Sequence, residues 1–451
     1  MNTRAADVAR LRATLAVQPS DRVSWHNLAA AEGDLGHAAE AEMAARRAIA
    51  LGIEAPETRL VLGRALQSLR KLDEAEGMFK KAIALRPAYA DAHRDLAQLT
   101  WMRTGRTEDA LKKLSRSLRD HPAAAELHLV HSSVLEFAGD LAGALAAAQR
   151  GLAHAPNDLP LLVQAAHLCT ETGAAGGALS LSMRAMQRAP ADPRAQTSLC
   201  ESLLCAGQPA EAEAQAGALC SALPGNQYAL ALRATAWRLL GDARYSELYD
   251  YRSLVAEQEL ETPAGFASLE AFLSELSGEL QGLHSFQTHP LYQSVRGGSQ
   301  LSLQSAELQR PLIGLLFRSI DVAIQRYIIG LSAGRDPLRV RNTGRAALTG
   351  AWSVRLCSGG HHVDHVHPHG WVSSACYVAL PPTIGDGKTG RAGWLRFGRP
   401  GVKTLPVLDA DHFVKPRPGL LILFPAYMWH GVEPFESDQP RLSVAFDVVP
   451  V

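Results

Sequence analysis

The 451-residue chain has no surplus of charge, with 45 Lys and Arg standing against 45 Asp and Glu. A protein built around a large polyanion-binding surface carries a basic excess, so nucleic acid is not expected as a partner beyond a local patch. Long apolar runs are absent too. The greasiest stretch, Pro311 to Leu331, is interrupted by Arg318, Asp321 and Arg326, and a membrane span needs about 18 or more uninterrupted apolar residues. No membrane association is expected. The first twenty residues lack the apolar core of roughly 7–15 residues that marks a secretory signal. The six cysteines include no CxxC pair and no framework spacing, so they read as buried thiols in a reducing, cytoplasmic compartment. Hydrophobic residues at 47% and charged residues at 20% describe a globular chain, long enough for about three domains.

What is present first is a period. Prolines recur at Pro19, Pro87, Pro122, Pro156, Pro190 and Pro224, with gaps of 68, 35, 34, 34 and 34 residues. A second marker runs in phase at Gly36, Arg70, Gly105, Gly139, Gly173, Gly207 and Gly241. Five residues beyond most of these stands a small residue: Ala41, Ala75, Ala110, Ala144, Ala178 and Ala212. Glycine closes a first helix where left-handed backbone is needed, alanine lets a second helix approach closely, and proline ends that second helix. This helix–turn–helix unit resembles the tetratricopeptide repeat, and an α-solenoid of such repeats is expected over residues 5–245. The resemblance implies a concave face able to hold a protein or peptide; a rigid spacer or dimerisation platform is the alternative. Tyr228, Trp237, Tyr245, Tyr249 and Tyr251 crowd the last unit and its exit, and are expected to pack it onto whatever follows.

Residues 246–345 read as a helical connector. Phe266, Leu269, Phe272, Leu273, Leu276 and Leu280 recur near the helical period, as do Val322, Ile324, Tyr327 and Ile328. His289 to Gln304 lies between them and reads as a polar, Gly-containing loop. Over 346–451 the period changes. WSVRL, WVSSACYVAL, GWLRF, LLILFP and RLSVAFDVV are short strands bounded by turn residues. About eight strands in about 100 residues suit a jelly roll.

The chemistry gathers in this last segment. Five histidines, His361, His362, His365, His367 and His369, fall within nine residues, together with Asp364; His430 follows 63 residues after His367, and Arg441 eleven residues later. Residues i and i+2 of a strand share a face. Two ligands at that spacing, with a third from a distant strand, could therefore occupy one face of a metal and leave the other open. Arg441 and Ser443 likewise share a face and could hold a carboxylate.

The segment HVDHVHPHGWVSSACYVALP, followed by GWLRFGRP, LLILFPAYMWHGVEPF and RLSVAFD, resembles the Fe(II)/2-oxoglutarate-dependent dioxygenases. It is most similar to a bacterial and phage group with an HxHP motif, some members of which are fused to tetratricopeptide repeats. The resemblance implies a double-stranded β-helix that binds Fe(II), 2-oxoglutarate and O2. It implies His430 as distal iron ligand and Arg441 with Ser443 as the grip on the far carboxylate of 2-oxoglutarate. For the proximal ligands, the HxHP form gives His365 and His367, aligned by Pro368; the commoner HxD form gives His362 and Asp364. On a regular strand these two pairs face opposite ways. The first choice leaves the metal without a carboxylate. Arg355, Trp371 and Tyr377 are candidates for lining the substrate pocket.

The expected fold is therefore multidomain α + β, with an N-terminal solenoid and a C-terminal jelly roll. The expected function is an oxygenase hydroxylating a substrate recruited by the repeats, with a protein or peptide as the candidate. A non-enzymatic repeat scaffold with a degenerate barrel, or a cupin-like metal enzyme that does not use 2-oxoglutarate, are the alternatives.

Overall fold

A computed structural model describes residues 3–387 and 390–451. The chain divides into two compact units, Met1–Leu161 and Leu162–Val451. Among the described residues, fourteen helices run between Thr3 and Leu240. The 34-residue marker is a marker of left-handed backbone: Gly36, Gly105, Gly139, Gly173, Gly207 and Gly241 all have φ between 66° and 90°, and Arg70 adopts 62° at the same phase. The alanines five residues on are all buried, as close helix packing requires. Gly63 shows how tight that packing is, since a Cβ there would lie 2.5 Å from the Phe79 ring. The proline marker has a partner in sequence. Six residues after it, Trp25, His93, His128 and Gln196 each hydrogen-bond the carbonyl of Pro19, Pro87, Pro122 and Pro190 respectively, at 2.8–2.9 Å. These helical hairpins are tetratricopeptide-type repeats. None of the described helices is long and apolar enough to cross a membrane.

The C-terminal sheet is a curled, antiparallel jelly roll. Its strands are β1 (Ala256–Glu259), β2 (Val295–Ser302), β3 (Ala346–His365), β4 (Val372–Ala379), β5 (Leu395–Phe397), β6 (His412–Val414), β7 (Leu420–Pro425), β8 (His430–Val432) and β9 (Arg441–Pro450). They run in the order β1-β7-β4-β9-β3-β8-β5-β6, with β2 paired along β3. The long β3 joins the two halves: its residues 346–356 pair with β9, and its end pairs with β8. Alternation along β9 separates two faces. Leu442, Val444 and Phe446 point outward, and Phe446 meets Phe317 edge-on at 6.3 Å. Helices Leu269–Leu283 and Pro311–Gly330 belong to the buried core of this unit. Arg441, Ser443 and Asp447 share the opposite, inward face.

Residues 246–345, expected to be a helical connector, also contribute strands β1 and β2. The stretch His289 to Gln304, expected to be a loop, contains β2. Its two glycines are what make the pairing fit. Gly297 takes a left-handed φ of 66° at a bulge, and a Cβ on Gly298 would lie 2.2 Å from the Arg355 carbonyl.

The aromatic cluster at the exit of the repeats packs largely as expected. Tyr245 and Tyr251 both donate to Asp411, at 2.7 and 2.5 Å. Tyr249 donates to the Tyr427 carbonyl at 3.0 Å and accepts from the Trp429 backbone N–H at 3.2 Å. Tyr228 meets Trp429 edge-on at 5.6 Å, and the Trp429 indole donates to Thr235 Oγ1 at 2.9 Å. Trp237 differs, donating to Glu213 within the repeats.

Candidate metal centre

The inner face of the jelly roll collects histidines from β3, the turn after it, and β8. One ring nitrogen each from His365, His367 and His430 lie within 4.8 Å of one another. The Nδ1 atom of each ring has an acceptor: the Val363 carbonyl at 2.9 Å for His365, Asp447 Oδ2 at 2.6 Å for His367, and the Met428 carbonyl at 2.9 Å for His430. These bonds fix the proton on Nδ1 and leave Nε2 of each ring as the donor atom for a metal, with the Ser294 hydroxyl 3.2 Å from that of His365. Burial pushes His365 down to about 3 and His430 well below the usual range. Both rings are therefore neutral at physiological pH and need release no proton to bind a cation.

The remaining members of the cluster go elsewhere. Asp364 is locked by Arg396, with Nε–Oδ1 at 2.7 Å and Nη2–Oδ2 at 3.0 Å, and by Arg399 at 2.6 Å. His361 bonds back to the Gly359 carbonyl, and His369 is exposed. His362 does turn inward. In the register, His362 faces Val432 and His365 faces His430, so three residues of β3 span two of β8. That bulge at Val363–Asp364 brings His362 and His365 to one face, where a regular strand would oppose them. Their rings stack at 5.8 Å, and the Ser294 hydroxyl touches both, at 2.9 and 3.2 Å.

On the same inner face, at the start of β9, lies Arg441, 1% exposed. Its Nη1 is 3.5 Å from Ser443 Oγ, its guanidinium lies 5.0 Å from the centre of the Tyr377 ring, and its Nε has no hydrogen-bond partner. The Tyr377 hydroxyl is likewise buried, with the Arg441 guanidinium beside it. No carboxylate among the described residues pairs with Arg441, and burial pushes its pKa down. An unpaired buried guanidinium is costly, so this pocket fits an anion. A triad of ring nitrogens and an unpaired guanidinium on one inner face thus fit a divalent metal and a carboxylate ligand.

The three residues considered for the substrate pocket separate. Tyr377 lies on the inner face beside Arg441. Arg355 pairs in register with Leu442 and so lies on the outer face, where its Nη2 reaches the Phe286 carbonyl at 3.4 Å. Trp371 is buried, its indole donating to the Leu338 carbonyl at 2.8 Å. Sequence reasoning missed Asp447, Ser294 and Arg396. Of these, only Asp447 left a signal, six residues beyond Arg441 and hence on the same face.

Residues 350–447 match the model of the family described as "Putative 2OG-Fe(II) oxygenase". No curated protein matches the chain. Solved structures similar to it include PilF of Pseudomonas aeruginosa, at 16% identity over 45% of this chain and 92% of that one, TM-score 0.34. A tetratricopeptide repeat protein of Parabacteroides merdae is 16% identical over 58% and 98%, TM-score 0.38. YrrB, a TPR protein with an unusual peptide-binding site, is 18% identical over 41% and 95%, TM-score 0.27.

Proposed function

We propose that the jelly roll is an Fe(II)/2-oxoglutarate-dependent oxygenase that hydroxylates a substrate, with the repeats recruiting a protein or peptide. His365, His367 and His430 hold the iron, and Arg441 with Ser443 holds the far carboxylate of 2-oxoglutarate. The observation that carries this reading is the buried, unpaired Arg441 on the same inner face as the histidine triad.

When bound, iron with 2-oxoglutarate and O2 supplies the oxidising chemistry, yielding succinate, CO2 and a hydroxylated product. The chain's own residues bind and orient. Arg441 offers a charged fork to a carboxylate, and the Ser443 hydroxyl and Tyr377 phenol lie close enough to complete that grip. Phe397 and Phe424 pack on the His430 ring, at 6.4 and 4.7 Å, and keep water from that side of the triad. The carboxylates of Asp364 and Asp447 are both engaged, so no general base is assigned to either.

The repeats are assigned recruitment because a solenoid of helical hairpins offers an extended concave surface suited to a peptide.

The test is succinate release by the purified full chain supplied with Fe(II), 2-oxoglutarate and ascorbate, first alone and then with candidate peptides. Metal binding without any 2-oxoglutarate binding would favour a cupin-like metal enzyme. No metal binding would favour the scaffold reading, for which the lack of a carboxylate in the triad is the supporting observation.

A further inference from the structure

The triad's three imidazoles bring no negative charge to a divalent cation, whereas the facial triad of non-haem iron oxygenases includes a carboxylate. Asp364, the acidic residue within the histidine cluster, is tied to two arginines. A second carboxylate does reach the triad. Asp447 of β9 is 8% exposed and places Oδ2 2.6 Å from His367 Nδ1, while Oδ1 accepts from Ser373 Oγ at 2.8 Å. Among the described residues, no Lys or Arg pairs with it; His367 is its sole ion-pair partner.

The Asp447 carboxylate is held by the Ser373 hydroxyl on one oxygen and meets the His367 ring with the other. A cation bound at the far nitrogen of that ring is therefore reached by the carboxylate through the imidazole.

We propose that Asp447 supplies the carboxylate function of this metal site at one remove, as a positioning residue that holds the His367 tautomer and raises the ring's donor strength. This rests on the metal site proposed above. Ser373 holds the carboxylate in place through its second oxygen. The bond from Asp447 runs between strand β9 and the turn after β3, so it also fixes where the His367 ring stands.

The test is titration of the full chain with Co(II) alone, followed by its visible ligand-field bands and by calorimetry, for the native chain and for Asp447→Asn. The variant should bind Co(II) about 10- to 100-fold more weakly, with shifted bands, while far-UV circular dichroism of the metal-free protein is unchanged. Equal affinity and equal bands in a folded Asp447→Asn protein overturn the proposal and leave the metal site standing. Failure of the native chain to bind Co(II) overturns the metal site itself, and this inference with it. Should Asp447→Asn not fold, Ser373→Ala replaces it; a several-fold loss of affinity supports the assignment, and no change overturns it.

Discussion

Arg396 and Asp364 form a two-point ion pair inside the jelly roll, at 2.7 and 3.0 Å, with side chains 2% and 8% exposed. Asp364 lies among five histidines in sequence, yet it faces away from all three members of the triad. Gly431 belongs to the same arrangement: a Cβ there would sit 2.6 Å from Asp364 Oδ1 and 2.9 Å from Arg396 Nη2. The pair is a buried strut between β3 and β5.

Removing Asp364 takes from Arg396 and Arg399 the carboxylate they share and leaves the buried Arg396 only the carboxylate of Glu433, at 3.4 Å. Asp364→Ala is expected to destabilise the fold by about 3–5 kcal/mol, read by urea denaturation. The metal affinity of whatever protein remains folded should stay within a few-fold of native. A loss of metal binding at unchanged stability would instead make Asp364 a ligand.

Arg441 has the opposite profile. Its charge is buried without an anion, so Arg441→Met should leave the ligand-free protein as stable as the native chain, or more stable, by up to about 1–4 kcal/mol. The same change should weaken 2-oxoglutarate binding at least 30-fold, the low end of the cost of truncating one side of a buried charge pair, about 2–5 kcal/mol. Thermal melts with and without 2-oxoglutarate, together with calorimetry, separate the two effects.

The Tyr249 hydroxyl satisfies two backbone groups of the turn that leads into His430. Tyr249→Phe leaves the Tyr427 carbonyl and the Trp429 N–H without that partner, and should cost about 1–3 kcal/mol in urea denaturation. A chain beginning at residue 346 should fare worse. It lacks β1, β2 and the two helices of that core, which exposes Leu421, Leu423, Val444 and Phe446. Size-exclusion chromatography should find it aggregated.

In the first unit, burial pushes His131 down to about 4, helped by the nearby positive charge of Arg150. The unfolded ring titrates near 6.5, so the unfolded chain binds a proton more readily. His131 therefore contributes stability that is present above pH 6.5 and lost as the pH falls towards 4. The thermal midpoint should drop across that window, and His131→Leu should make the drop shallower.

The repeats were legible because a helix stop needs left-handed backbone, and glycine marks it at Gly36, Gly105 and later positions. Arg70 was legible only by phase. The histidine cluster and the Arg441–Ser443 pair were legible from period-two spacing. The orientation of His362 was not, because the bulge at Val363–Asp364 is a register shift set by β8, which lies some 65 residues away in sequence. Strand β2 was hidden by the glycines that make it possible, since GG reads as a turn until a partner backbone is known to pass close by. Asp447 was on the page as the end of RLSVAFD, but an acidic residue at a strand's end gives no sign of which ring it meets.

Strand β9 carries Arg441 and Asp447 six positions apart on one face, at about 3.3 Å per residue. It works as a ruler, holding the Arg441 guanidinium at a set distance from the carboxylate that meets His367. Substitutions on its outer face change packing alone, but one inserted or deleted residue between 441 and 447 would turn one of the two side chains outward.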